Sequence, residues 1–257
     1  MLPIQFKPCS KPRLFLLLGV LIFTFGQIPL NAWALDICYV TESGTGAANG
    51  SSWDNAFNGL QTALGTANCI DETGDQIWVA GGTYTPGSGV DTSFQLKTGV
   101  KIRGGFQGVP GTEEHDSGQV LDYVANSTDT SKVYSISDYE TTLSGTTNSN
   151  CHVVLVDDAT ITATNTLFDG FTITGGNANQ GVTCSNNNGG GILILNGSPK
   201  LSDLTISNNS AVNGGGMYND SNNPKLSGVK FTSNTSTNDC GGIYNNVYSP
   251  SFSSVSF

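Results

Sequence analysis

Apolar residues in the C-terminal part of the chain fall into columns. Three Gly-Gly pairs, Gly190-Gly191, Gly215-Gly216 and Gly241-Gly242, recur at spacings of 25 and then 26 residues. Aligned on them, Ile192, Met217 and Ile243 form one column and Leu201, Leu226 and Phe252 a second; Leu204, Val229 and Val255 form a third, and Ile206, Phe231 and Phe257 a fourth. Gly, Asn, Ser and Thr fill the intervals, with a proline column at Pro199, Pro224 and Pro250. These are turn-formers, so each repeat reads as short strands separated by turns. No such unit can bury its apolar residues alone. Stacked, the repeats predict an all-β, single-stranded parallel β-helix of about 25 residues per coil, in which each strand pairs with the coils above and below at about 4.8 Å. Identical residues then stack, and Asn209 and Asn234 are placed for an amide ladder at a turn. A leucine-rich horseshoe lacks its motif here, and a propeller needs blades of roughly 40 residues or more.

Upstream, Asp36 to Thr41 reads as a strand. Trp53, Phe57, Leu60 and Leu64, with Ser52 before them and Gly65 after, have the spacing of one helix face and predict a helix over 53–64. It is expected to cap the first coil, making 35–92 an N-terminal cap and first coil. Strands follow at Gln76 to Ala80, Ser93 to Leu96 and Val100 to Arg103. Residues 107–150 have few apolar positions and predict a long loop insertion within the 93–257 coils. Phe171-Thr172-Ile173 precedes Leu204-Thr205-Ile206 by 33 residues, eight more than the 25-residue spacing. The excess is placed at 181–188. Because the chain stops at Phe257, a column position in mid-repeat, it is expected to be truncated there.

Lys7, Lys11 and Arg13, an apolar run from Leu14 to Phe25, and Ala32-Trp33-Ala34 make 1–34 a secretory signal peptide. Its removal takes three of ten basic residues and none of twenty acidic ones, so the exported chain carries 7 − 20 = −13. Phosphate would repel such a chain, which argues against nucleic acid as a partner. Export also permits disulfides. Five cysteines remain, and two bridges among them can be drawn in fifteen ways (five choices of the odd cysteine, three pairings each). Cys38 and Cys69 flank the predicted helix, and Cys151 and Cys184 each precede the first strand of adjacent repeats; bridging these pairs leaves Cys240 alone.

Candidate chemistry is sparse. Arg103 is the single arginine after the leader, and alternation puts it on one outer face with Lys101. Uronate lyases need such a base near acids that hold Ca²⁺. Asp157-Asp158 is an adjacent acidic pair, but strand neighbours point to opposite faces and paired-carboxylate hydrolysis needs convergent groups. Glu113, Glu114, His115 and Asp116 cluster in the insertion and read as a solvated charge run; His152 beside Cys151 reads as an edge histidine next to a cystine. Tyr218 and Tyr244 share a column and are expected to face outward, as a stacking platform or a surface ladder. No catalytic, cofactor-binding or metal-binding residue is assigned, and no cofactor is implied. Phe231→Asp is expected to disrupt the coils and Asn222→Asp at a turn to be nearly silent.

Two resemblances rest on particular motifs. Gly215-Gly216-Met217-Tyr218, Gly241-Gly242-Ile243-Tyr244 and Phe231-Thr232-Ser233-Asn234 resemble the GGAI and FxxN motifs of chlamydial polymorphic outer-membrane protein repeats, with Gly190-Gly191-Ile192 and Ile206-Ser207-Asn208-Asn209 a looser copy. Ser51-Ser52-Trp53, Gly74 to Ala80, Gly82-Thr83-Tyr84 and Gly104-Gly105-Phe106 resemble the leader of secreted bacterial right-handed β-helix proteins of the pectin-lyase-like superfamily. The resemblance implies a right-handed coil and an exported, surface-displayed passenger, adhesin-like and non-enzymatic, acting as a rigid scaffold that binds host or environmental surface glycans or proteins. Outer-membrane association would then run through a C-terminal region beyond Phe257. The same superfamily implies the rival reading, a carbohydrate-active lyase or glycoside hydrolase.

Overall fold

A computed structural model describes residues 37–257, except 72–73, 111–136, 146–149, 180–183, 221 and 248. The leader, and the Glu113, Glu114, His115, Asp116 cluster, lie outside the described residues. The described chain is all-β, its strands pair in parallel, and it has almost no helix. Most strands are three to five residues long, because a turn former interrupts every short apolar stretch.

Three sheets share the strands. Sheet I runs, in spatial order, Phe57–Asn58, Ile37–Thr41, Gln76–Ala80, Lys101–Phe106, Leu167–Asp169, Lys200–Ser202, Lys225–Ser227 and Ser251–Ser253. Sheet II runs Gly82–Tyr84, Thr141–Ser144, Thr172–Thr174, Thr205–Ser207 and Lys230–Thr232. Sheet III runs Phe94–Gln95, Val154–Asp157, Ile192–Asn196, Met217–Asn219 and Ile243–Asn245. From Gln76 on, the chain visits I, II and III in turn and returns to I one strand further along, a topology compatible with a parallel β-helix. In the last coils a two-stranded ladder, Ser210–Asn213 with Thr235–Asp239, sits between the visits to II and III.

The interior is a set of in-register columns. In sheet I, Cys38, Ile77, Ile102, Phe168, Leu201, Leu226 and Phe252 are successive partners. In sheet II the partners are Tyr84, Leu143, Ile173, Ile206 and Phe231; in sheet III, Phe94, Val154, Ile192, Met217 and Ile243. Most of these side chains are buried, as are Leu204 and Val229 of the remaining column, and each such burial stabilises by roughly 1.5–3 kcal/mol. The last coil differs. Ile243 and Val255 are only half-buried, while Phe252 is 50% and Phe257 77% exposed. Phe257 still stacks on Phe231, with centroids 5.4 Å apart.

Close approach of coils explains the Gly-Gly pairs. A Cβ on Gly190 would collide with the Ser210 carbonyl, and one on Gly215 with the Thr235 carbonyl. The preceding column is Gly189, Gly214 and Cys240, with φ of 67°, 61° and 53°, so the chain bends there through the left-handed region. Cys240 does so with a side chain.

Two expectations need correction, while the placing of the eight extra residues agrees with the bridges on either side. The 53–64 segment is not one helix: it divides into a 3₁₀ turn at Trp53–Asn55, the strand Phe57–Asn58 and a five-residue helix at Leu60–Leu64. Gly59 at φ 79° and extended Ala56 break the helical path, and Phe57 instead joins sheet I beside Val40. Trp53 leaves the interior altogether, packing outside sheet I with Tyr39, Ala56, Trp78, Ala80 and Phe106. The insertion is shorter than 107–150, since Thr141–Ser144 is a sheet II strand with Leu143 fully buried. Between Asn177 and Asn188 the chain spends 11 residues where Ser210 to Asn213, their bridge partners, spends 3; the eight extra residues therefore lie there.

Two disulfides staple this arrangement. Cys38 is bonded to Cys69 and Cys151 to Cys184, while Cys240 is free and exposed. Closing loops of 31 and 33 residues constrains the unfolded chain by roughly 3–4 kcal/mol each.

Candidate functional site

Because the interior is filled by apolar columns, chemistry can reside only on the outer faces and turns. The outer face of sheet I carries the most. Its strands alternate, so with Ile102 inward, Lys101 and Arg103 point outward, and Lys200 and Lys225 do the same beside Leu201 and Leu226. Register then builds two rows along the stack. One runs Gln76, Lys101, Leu167, Lys200, Lys225 and Ser251; the other runs Tyr39, Trp78, Arg103, Asp169, Ser202, Ser227 and Ser253. The N-terminal end of this face is closed by aromatic packing: Trp78 stacks on Phe106 at 4.7 Å, and Tyr39 meets Trp53 edge-on at 4.9 Å.

Arg103 and Asp169 are therefore register partners, though 66 residues apart in the chain (169 − 103). Asp169 is only 1% exposed, and its Oδ1 and the Arg103 Nε are buried without hydrogen-bond partners. Burial first, and then the nearby Asp203 carboxylate, push the Asp169 carboxyl up to about 7, against the opposing pull of Arg103 and Lys200. The Ser202 hydroxyl donates to Asp203 Oδ2 at 3.1 Å and also lies within reach of Asp169. Its single proton serves one acid at a time, and the bond to Asp203 leaves Asp169 the less satisfied of the two. This is an acid that holds its proton near neutrality beside a fixed cation. The expectation of Lys101 and Arg103 on one face agrees with this geometry, whereas Asp169 escaped sequence reasoning. Superposing Ile102 on Phe168 as one column would have found it.

The remaining candidates do not converge. Asp157 Oδ1 accepts from Asn196 Nδ2 at 2.6 Å, while Asp158 Oδ1 caps its own turn, accepting from the Thr160 N–H at 2.9 Å and hydroxyl at 2.6 Å. The Thr160 bonds hold Asp158 below the usual carboxylate range. His152 is 4% exposed, and its Nδ1–H donates to the Gly189 carbonyl at 2.9 Å while Nε2 is buried without a partner. Burial lowers its pKa. Cys151 beside it is spent in a disulfide, so no thiol nucleophile exists there. Among the described residues no group of three or more His, Cys, Asp or Glu side chains is placed to hold a metal ion.

Tyr218 and Tyr244 stack outside sheet III with centroids 5.2 Å apart and planes 3° from parallel. The stack covers the ring faces between them, leaving edges and hydroxyls, which is the geometry of a stabilising ladder rather than of a row of sugar platforms. Burial, with Asp220 and Tyr244 adding to it, raises the Tyr218 pKa. The amide ladder is internal. Asn209 Nδ2 donates to the Ile173 and Ser207 carbonyls at 3.0 Å each and to Asn234 Oδ1 at 3.1 Å, and its Oδ1 accepts from the Gly176 N–H at 2.9 Å. Asn222 is less passive than its turn position implies: its Oδ1 accepts from the Gly197 N–H at 3.0 Å, and its Nδ2 donates to the Leu195 and Asp220 carbonyls.

No protein-family model, curated protein or solved structure matches this chain.

Proposed function

We propose that the chain is a right-handed single-stranded parallel β-helix of the pectin-lyase-like kind, exported and displayed at the bacterial surface as a non-enzymatic, adhesin-like passenger. Its coils act as a rigid scaffold, and its outer faces and loops contact surface glycans or proteins. The observation that carries this reading is the tolerance of the coil register to insertion. Tyr84, Leu143, Ile173 and Ile206 remain register partners although Phe106 and Thr141 stand 35 positions apart (141 − 106), and Asn177 and Asn188 still bridge Ser210 and Asn213 despite the eight extra residues. Binding variation can thus be placed on an unchanged core. The test is adhesion by the purified exported chain, coated on beads, to a panel of eukaryotic cells and polysaccharide-coated surfaces. Beads that adhere no better than albumin-coated controls across the whole panel would reject it.

One observation favours a carbohydrate-active enzyme instead: Asp169, protonated near neutrality, beside the Arg103 cation. A carboxyl that can give up a proton, beside a cation that can hold an anionic substrate, suits attack on a glycosidic polymer. Turnover of polygalacturonate or alginate, abolished by Arg103→Gln and by Asp169→Asn, would establish that reading over the passenger.

A further inference from the structure

Positive charge is scarce in this chain and is gathered on one face. Seven basic residues remain after the leader, and four of them, Lys101, Arg103, Lys200 and Lys225, lie on the outside of sheet I. Three of the four are lysines in a single in-register row, interrupted only by Leu167, and the row spans three strand spacings, about 14 Å along the stack. Lys200 and Lys225 are exposed and Lys101 half-exposed. A straight row at strand spacing matches a linear polymer lying along the stack better than a compact ligand. Among the described residues, the acids next to the row in sequence or register are Asp75 and Asp169, each 1% exposed, and Asp203, whose Oδ2 accepts from the Ser202 hydroxyl. At physiological salt, charges more than about 8 Å from the row are screened.

We infer that the outer face of sheet I, along Lys101, Lys200 and Lys225, is a docking surface for a sulfated polysaccharide. This rests on the reading of the chain as a surface-binding scaffold and names the partner of one of its faces. Charge complementarity supplies the anion. The choice of sulfate follows from the cations: the row presents compact ammonium groups with three freely rotating donors, not the planar guanidinium fork that pairs two-to-two with a carboxylate. Arg103, the single fork, is set back in the adjacent row with its Nε buried. A sulfate ester also stays ionised across the pH range in which a face containing Asp169 changes charge.

Heparin binding by the purified exported chain tests this, measured by calorimetry at low salt with circular dichroism to verify folding. Binding is expected to weaken as salt rises. The Lys200→Gln, Lys225→Gln double variant should bind at least tenfold more weakly, whereas Lys230→Gln, on sheet II, should stay within twofold of the parent. Polygalacturonate, whose charges are carboxylates, should bind at least tenfold more weakly than heparin. No heparin binding, a double variant equal to the parent, an equal loss in Lys230→Gln, or polygalacturonate binding as tightly as heparin would each overturn the inference. If heparin fails while coated beads still adhere to cells, only the sulfate surface falls and the scaffold reading stands.

Discussion

Replacing Asp169 by Asn should make the protein more stable at alkaline pH and leave it nearly unchanged in acid. The carboxyl titrates near 7 in the folded chain, against an ordinary value of 3.8, because burial and Asp203 oppose its ionisation. An acid whose folded pKa is raised binds its proton more tightly when folded. Stability from this group is therefore complete below about pH 4, declines as pH rises between 3.8 and about 7, and is lost above that. The rise from 3.8 to about 7 corresponds to about 4 kcal/mol, at about 1.36 kcal/mol per tenfold change in proton affinity. Asp169 is 1% exposed, so water does little to reduce this figure, which already includes the attraction to Arg103 and Lys200; the gain on substitution at pH 8 is therefore up to about 4 kcal/mol. Arg103 is only partly buried, so the amide variant does not strand an unsolvated cation. Urea denaturation of both proteins at pH 4.5, 6 and 8 measures the effect, and the difference between the two curves cancels other titrating groups. A pH-independent difference, or a variant less stable at pH 8, would refute the burial argument for Asp169.

Other substitutions probe the coil itself. Cys240→Gly places glycine at a φ of 53°, the conformation Gly189 and Gly214 adopt in the same column, and should raise stability by about 1 kcal/mol in thermal unfolding under reducing conditions. Phe231→Asp puts a charge at a 2%-exposed interior position and should cost several kcal/mol; a melting temperature equal to the parent's would break the column assignment. Asn222→Asp replaces the amide donor to the Leu195 and Asp220 carbonyls with a charged acceptor, so it should cost about 1–3 kcal/mol instead of being silent. His152 has a lowered folded pKa, so its contribution is present above its ordinary 6.5 and lost as pH falls below that; hydrogen exchange of the 184–189 segment, whose Gly189 carbonyl it binds, should accelerate in acid and do so less in His152→Gln.

What the sequence made legible is what the interior demands. Ile206 and Phe231 must pack on one another across coils, so inward positions repeat in kind and the 25-residue spacing exposes them. The helical reading of 53–64 failed because Trp53 and Phe57 are both apolar at helical spacing yet serve different cores, one outside sheet I and one within. Burial alone does not say which. Thr141–Ser144 escaped notice because a three-sheet coil needs a single inward side chain from so short a strand, and Leu143 between threonine and serine carries too little hydrophobic signal.

Outward positions have no such obligation. Beyond its aromatic end at Tyr39 and Trp78, the row containing Arg103 passes to Asp169 and Ser202 without chemical likeness, because no shared apolar core obliges these members to match as it does Ile77, Ile102 and Phe168. Arg103 and Asp169 meet because Lys101–Phe106 and Leu167–Asp169 are neighbours in sheet I, so their pairing is a property of topology and not of any local pattern. The same holds for Lys101, Lys200 and Lys225, which stand in one row only once Phe168, Leu201 and Leu226 have been aligned beneath them. In a stacked coil the periodic residues therefore reveal the frame, and the frame must be built before the aperiodic residues on its outside can be seen to belong together.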